Sequence, residues 1–289
     1  MVSRRRFLAS AGAFGLAANA GLFDFAASLF AAETTSGKKP VVQAVFIRPN
    51  VDGYWMGWPG AAYDIKARQA DYTKTLKEAA EKFAIQLEVR PQPLAEDSDV
   101  NSFLGELKNQ PPDGLVLVSM SLNQSWPHID NISKNRGKVP TIVFSPMGTS
   151  FTGHLQGTRN IDGVYVAATQ DVDWLTFGMK MFKTMSEMKN TRLCVLAGDK
   201  VEDKKLEVIG TTLHYIPRNR LPEELKKVEE TDQVRAIADY YTKNAKKIVE
   251  PTKQDILNAA KNYIAAKRIM EAESCQGISV DCLPWLRAG

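Results

Sequence analysis

Val41-Val42-Gln43-Ala44-Val45-Phe46-Ile47 is a seven-residue run with one polar side chain, set between Pro40 and Arg48. A Val- and Ile-rich run without alternation predicts a strand covered on both faces rather than one half-exposed to water. The same rhythm recurs downstream. Residues 65–83 place Leu76, Ala79, Ala80 and Phe83 on one helical stripe. Ile85-Gln86-Leu87-Glu88-Val89 alternates as a strand, and Asp97 to Asn109 predicts a helix capped by Ser98 or Asp99. Pro111-Pro112-Asp113-Gly114 is a turn into Leu115-Val116-Leu117-Val118, a third buried strand. A helix from Trp126 to Arg136 and a strand Thr141-Ile142-Val143-Phe144 follow. Four βα units in about 110 residues argue for a parallel, doubly wound sheet.

The second half keeps the style. Asp171 is placed to cap a helix reaching about Met188, and Arg192-Leu193-Cys194-Val195-Leu196 reads as a strand. Glu207 to Ile216 is expected to be another. Pro222 opens a short helix, and Thr231 to Val249 forms a longer one. Thr252-Lys253-Gln254-Asp255 resembles a capping box at the head of a long amphipathic helix. Gly277-Ile278-Ser279-Val280-Asp281 is a short strand ending on an acid. The expectation is an α/β fold of two Rossmann-like parallel-sheet domains with helices on both faces. Residues 1–36 form an export signal, 37–163 the N-terminal domain, and 164–289 the second. Because a buried parallel strand normally feeds a covering helix, the last eight residues suggest that this domain is truncated.

Composition narrows the function. At 289 residues, 44% apolar and 24% charged, the chain has ordinary globular usage and enough length to bury a core without staples. The formal charge is +4; Arg4, Arg5 and Arg6 against Asp24 and Glu33 account for one unit, and the remaining +3 is spread evenly. No nucleic-acid face is implied. Cys275 and Cys282 bracket the last strand, roughly 20 Å apart if extended, too far for a disulfide. Gly-x-Gly-x-x-Gly, P-loop, Gly-x-Ser-x-Gly and His-Glu-x-x-His patterns are all missing, which argues against nucleotide, serine-hydrolase and zincin chemistry. Ser3-Arg4-Arg5-Arg6-Phe7-Leu8 matches the twin-arginine export pattern, Arg4 and Arg5 being its pair, and the Ala/Gly-rich stretch to Ala32 is too weakly apolar for an anchor. The twin-arginine translocase is the expected partner, and the destination is periplasmic or extracellular.

In open α/β sheets ligands bind beyond the carboxyl ends of the strands. The loop Asn50 to Gly60, after the first strand, carries Tyr54, Trp55 and Trp58. Aromatic faces beside polar groups suit a small-molecule sugar; the alternatives are a loop packed by its own aromatics, or a contact between subunits of a homo-oligomer. Ser145 to His154, after the fourth strand, adds small hydroxyls and His154 as pocket lining, or a surface histidine. Asp171 and Asp173 form an Asp-x-Asp pair that binds a cation or sugar hydroxyls, or else caps a helix. Asp281, at the tip of the last strand, is a candidate for metal or substrate, or a loop cap.

Asn258 to Asp281, a long Ala-rich helix followed by a strand ending Val-Asp-Cys, resembles the middle region of L-fucose and L-arabinose isomerase-like proteins. Pro112-Asp113-Gly114-Leu115-Val116 and the block from Val164 to Asp199 fit the same pattern. The resemblance implies aldose–ketose isomerisation with a divalent metal, usually manganese, with the family's C-terminal domain absent from this chain. No metal ligand is assigned by motif, and activity of this chain alone would not follow. The rival reading is a type I periplasmic sugar-binding protein without catalysis. A third is a degenerate relative that acts only as a binding module.

Overall fold

The computed structural model describes residues 39–51, 53–56, 62–121, 125–146, 149 and 153–282. They fall into two compact units: residues 39–219 with 279–282, and residues 220–278. The first unit holds a five-stranded parallel sheet. Its strands are β1 (Val41–Ile47), β4 (Gln86–Val89), β5 (Gly114–Ser119), β6 (Thr141–Phe144) and β7 (Val164–Ala167), in the order β4-β1-β5-β6-β7. Numbered along the sheet's own chain order this is 2-1-3-4-5, a doubly wound sheet whose direction of winding reverses between β1 and β5. The parallel α/β sheet with helices on both faces is therefore present. Val164–Ala167, where the second domain was expected to begin, pairs with β6 in this first sheet.

The burial pattern of the central strands explains why the sheet forms. Val42, Ala44 and Phe46 of β1, Val116 and Val118 of β5, and Ile142 and Phe144 of β6 face one cluster. Val45, Ile47, Leu115, Leu117 and Val143 face the other. The first face is covered by α1 (Ile65–Lys82) through Tyr72, Leu76 and Ala79, and by α5 (Asp173–Asn190) through Leu175, Met179 and Phe182. The second is covered by α2 (Asp97–Asn109) through Val100, Phe103 and Leu107, and by α3 (Ser125–Asn135) through Ile129 and Ile132. A one-turn helix, α4 (Gln156–Arg159), precedes β7. Asp64 caps α1 by accepting the Ala67 N–H at 2.7 Å. At α2, Asp99 accepts the N–H groups of Ala95 and Glu96, each at 3.0 Å, so the expected Asp99 serves the helix start from its third position rather than from the cap.

Between β1 and α1 the chain makes a small hairpin, β2 (Tyr54–Met56) with β3 (Ala62–Asp64), antiparallel, with Trp55 opposite Tyr63. A second, four-stranded sheet follows α5. It contains β8 (Arg192–Leu196), β9 (Glu202–Lys205), β10 (Thr212–Ile216) and β11 (Gly277–Val280), in the order β11-β8-β10-β9. β8 and β10 are parallel, but β9 runs antiparallel to β10, so this sheet is mixed rather than purely parallel. The strand expected over Glu207 to Ile216 is the reason. Its first residues form a turn instead, in which Gly210 has φ +74° and the Leu206 N–H bonds the Thr211 carbonyl at 2.9 Å.

Residues 220–278 contribute α6 (Arg220–Leu225), α7 (Asp232–Asn244) and α8 (Lys253–Ala272), packed on one another through Val228, Val234, Ile237, Ala260 and Ile264. The capping box at Thr252 and Asp255 is present: each side chain accepts the other's N–H, at 3.2 and 2.8 Å. The helix expected to run to Val249 stops at Asn244. No helix among the described residues is long and apolar enough to cross a membrane.

Gly114 fixes how closely α5 approaches the sheet. A Cβ on Gly114 would stand 2.6 Å from the ring of Phe182, which is 2% exposed and has no open space to move into. Gly114→Ala is therefore expected to destabilise the fold by about 1–3 kcal/mol, the usual cost of overpacking a core. Urea unfolding monitored by circular dichroism measures this.

Candidate functional site

The reversal between β1 and β5 puts the carboxyl ends of these two strands at the head of a crevice, where doubly wound sheets bind ligands. Five buried hydroxyl side chains sit at or just beyond the strand ends: Ser119, Ser121, Ser125, Ser145 and Thr149, none more than 2% exposed. Most are tied into the scaffold. Ser125 Oγ donates to the Ile47 carbonyl at 2.8 Å, lies 2.9 Å from Ser121 Oγ, and accepts the Ser121 N–H at 3.1 Å. Thr149 Oγ1 donates to the Pro146 carbonyl at 2.7 Å and lies 3.1 Å from Ser145 Oγ. The first set holds the turn after β5 against the end of β1, and the second closes the turn after β6 on itself.

Arg48, the first residue past β1, is buried. Its guanidinium donates to Gln69 Oε1 at 2.7 Å and to the carbonyls of Pro49 and Val51 at 2.8 and 3.3 Å, so it staples the loop after β1 to α1. Tyr63, from the hairpin, donates its phenolic O–H to the carbonyl of Met120, just past β5. That bond ties the aromatic loop to the crevice. Burial, with Tyr72 second, pushes the Tyr63 phenol up to about 12.

Two buried polar atoms here are different. Ser119 Oγ and Trp126 Nε1 have no hydrogen-bond partner. Alternation along β5 places Ser119 on the face of Leu115 and Leu117, and Trp126 packs against that same cluster. The indole N–H and the hydroxyl thus stand on one face of the sheet at its carboxyl edge. His154 lays its ring against the Trp126 ring.

The residues singled out from sequence distribute unevenly around this site. Trp55 and Tyr54 lie on β2, in the hairpin that Tyr63 anchors to β5. Trp58, Arg4 and Arg5 fall outside the described residues. His154 is brought to the edge through Trp126. Asp171 accepts the Asp173 N–H at 3.0 Å at the start of α5, where it answers the helix dipole. Asp281 belongs to the second sheet: its N–H bonds the Leu196 carbonyl at 3.0 Å and its carboxylate receives Arg218 Nη2 at 2.7 Å. Among the described residues no group of three or more His, Cys, Asp or Glu side chains is placed to hold a metal ion. Elsewhere on that sheet Arg192, Asp203 and His214 form a small polar cluster, with His214 Nδ1 2.6 Å from Asp203 Oδ1. The hydrogen bond with His214, and then that from Arg192, hold the Asp203 carboxyl below its ordinary range. All three cysteines are free.

Ser119, Ser121, Ser125, Tyr63, Trp126 and Arg48 were not singled out by sequence reasoning. The available signal was position alone: Arg48 and Ser119 stand at the ends of apolar runs with Ser121 shortly after, whereas Ser125, Tyr63 and Trp126 carry no such mark.

No family model matches the chain, and no curated protein does. Among solved structures a match is the crystal structure of a sugar ABC transporter from Yersinia enterocolitica subsp. enterocolitica 8081, 12% identical over 84% of this chain, with a TM-score of 0.29. This chain spans 65% of the length of that one. A likeness so loose carries no functional argument. The resemblance to L-fucose and L-arabinose isomerases is corrected: no family model and no curated protein matches, an isomerase included. The manganese expected with that resemblance rested on it alone and goes no further.

The raised Tyr63 phenol gives a pH signature. The folded chain keeps Tyr63 protonated above its ordinary value of 10.0, so this contribution is complete below pH 10 and is lost as pH rises through about 12. Tyr63→Phe is expected to cost about 0.5–1.5 kcal/mol at neutral pH through the lost bond to Met120. It should also make alkaline destabilisation shallower between those two values. Urea titrations at neutral pH and across that window test both.

Proposed function

We propose that this chain is an exported binding protein for a small hydroxylated ligand of the monosaccharide class, held at the carboxyl edge of the five-stranded sheet without chemical turnover. The observation that carries the reading is the pair of buried, unpartnered groups at that edge, Ser119 Oγ and Trp126 Nε1. Leaving such a group unsatisfied costs about 1–3 kcal/mol, and a ligand hydroxyl, both donor and acceptor, would meet both needs. The indole supplies an apolar ring beside its donor, which suits the mixed faces of a sugar. The twin-arginine pattern at Arg4 and Arg5 supports export to the periplasm or cell exterior. The absence of turnover in this reading is supported by Ser125 and Thr149, whose hydroxyls donate to main-chain carbonyls.

Calorimetry with a panel of pentoses, hexoses and deoxyhexoses is expected to find one that binds with a dissociation constant on the order of micromolar. Ser119→Ala and Trp126→Phe should each weaken it about tenfold, equivalent to about 1.4 kcal/mol, while holding or raising the melting temperature, since each removes a buried orphan. Absence of heat with every sugar would overturn the reading. Binding unchanged in both variants would do so too, because the orphaned groups would then have no part in it.

A further inference from the structure

The two edges of the five-stranded sheet are built differently. β4, at one edge, is Gln86-Leu87-Glu88-Val89 and carries a charge in mid-strand. β9, at an edge of the other sheet, is Glu202-Asp203-Lys204-Lys205. Charges of this kind are the usual protection against strand addition. β7, at the opposite edge of the five-stranded sheet, is Val164-Tyr165-Val166-Ala167, with neither charge nor proline. Its ladder to β6 has the Thr141 N–H on the Gly163 carbonyl at 2.8 Å and the Ser145 N–H on the Ala167 carbonyl at 2.9 Å. Odd-numbered residues therefore spend their main-chain groups on β6, and Val166 turns its N–H and C=O to the open edge. A groove of about 440 Å³ runs along it, floored by residues 164–169 and closed by Arg159 and Trp174.

The apolar surface does not end at the strand. Trp174 of α5 stacks on Tyr165 at 5.2 Å and meets Phe177 edge-on at 5.2 Å. Phe177, Met181 and Met185 continue one stripe along α5, and with Tyr165 they are 42–49% exposed. This is the outward side of a helix whose other side, Leu175, Met179 and Phe182, is already spent on the core. The stripe also has a charge gradient along it. Asp171 and Asp173 lie at its amino end, and Lys180, Lys183 and Lys189 lie towards its carboxyl end, with Glu187 paired to Lys183 at 3.5 Å.

We infer that β7 and α5 form a two-fold dimer interface with a second copy of this chain, in which β7 pairs antiparallel with its counterpart about Val166. A two-fold operation is what the surface is complementary to. It lays the acidic start of one α5 towards the basic end of the other, and it carries Arg159 towards the partner's acidic helix start. Antiparallel pairing about Val166 lets the two Val166 residues exchange their outward N–H and C=O groups. The two Tyr165 rings and the two α5 stripes then fill the trough above the joined strands. Parallel addition of an unrelated strand would use the edge but leave the charge gradient unmatched.

Sedimentation of the full chain at roughly 100 μM, a concentration that populates interfaces at the small end of the standard size, is expected to show a dimer. Phe177→Lys should make it monomeric, with a melting temperature unchanged at dilutions where the parent chain is monomeric too, because the residue is outside the core. Val166→Cys in a Cys282→Ser background should cross-link to itself under mild oxidation. Hydrogen-bonded antiparallel partners have Cα atoms about 5.5 Å apart, within disulfide reach, and Val89→Cys on the β4 edge is the control that should not cross-link. A chain that stays monomeric, a dimer indifferent to Phe177→Lys, or a dimer that fails to cross-link through Val166→Cys would each overturn the inference.

Discussion

Double burial of the three central strands governs the rest of this molecule. β1, β5 and β6 present apolar side chains to both faces, and their main-chain groups are spent on the parallel ladder. A polar side chain has no tolerable place along such a strand unless it is bonded. The polar residues accordingly collect where the strands stop: Arg48 after β1, Ser119 and Ser121 around the end of β5, Ser145 after β6. The location of the candidate site follows from the core. Gly114 belongs to the same constraint, since it lets Phe182 press onto β5 and closes one of the two covered faces.

At that edge, satisfied and unsatisfied groups have different meanings. Arg48 has Gln69 and two carbonyls; Ser125 links Ser121 to the end of β1; Tyr63 reaches Met120. The bonds of Arg48 to Gln69, Ser125 to Ile47 and Tyr63 to Met120 join segments far apart in the chain, so together they fix the loops against the sheet. The hydroxyl of Ser119 and the indole N–H of Trp126, by contrast, have no hydrogen-bond partner. Two unmet hydrogen-bonding groups on an otherwise bonded rim are what the proposed binding reading rests on.

Much of the sheet was legible because burial on both faces writes a continuous apolar run, as in Val41–Ile47 and Leu115–Val118. β7 was harder: four residues of Val-Tyr-Val-Ala are too short to separate from a loop by periodicity. β9 could not be read at all, since Glu202-Asp203-Lys204-Lys205 becomes a strand only through its antiparallel ladder to β10. Ser119 escaped the sequence reading for a related reason. Large aromatics such as Trp55 and Trp58 draw attention in a sequence, whereas Ser119 matters through the end of a strand and the face it points to, both products of the fold. The isomerase resemblance failed because an Ala-rich helix followed by a short strand is the common grammar of βα units. Such a pattern constrains architecture and leaves chemistry open.

The site and the bare edge also stand in a definite geometric relation within the sheet. The crevice lies between β1 and β5, and β6 and then β7 follow on the β5 side. At about 4.8 Å per strand, β7 is about 10 Å from β5. A partner joined along β7 extends the sheet sideways, in the plane of its strands, while the crevice opens off the carboxyl ends, at right angles to that extension. The proposed association and the proposed ligand capture would thus draw on separate surfaces of one sheet: unpaired backbone at its flank, unpaired side-chain groups at its tip. Closing the flank with a second copy would bury the unprotected Val-Tyr-Val-Ala strand and leave the tip open to a small solute.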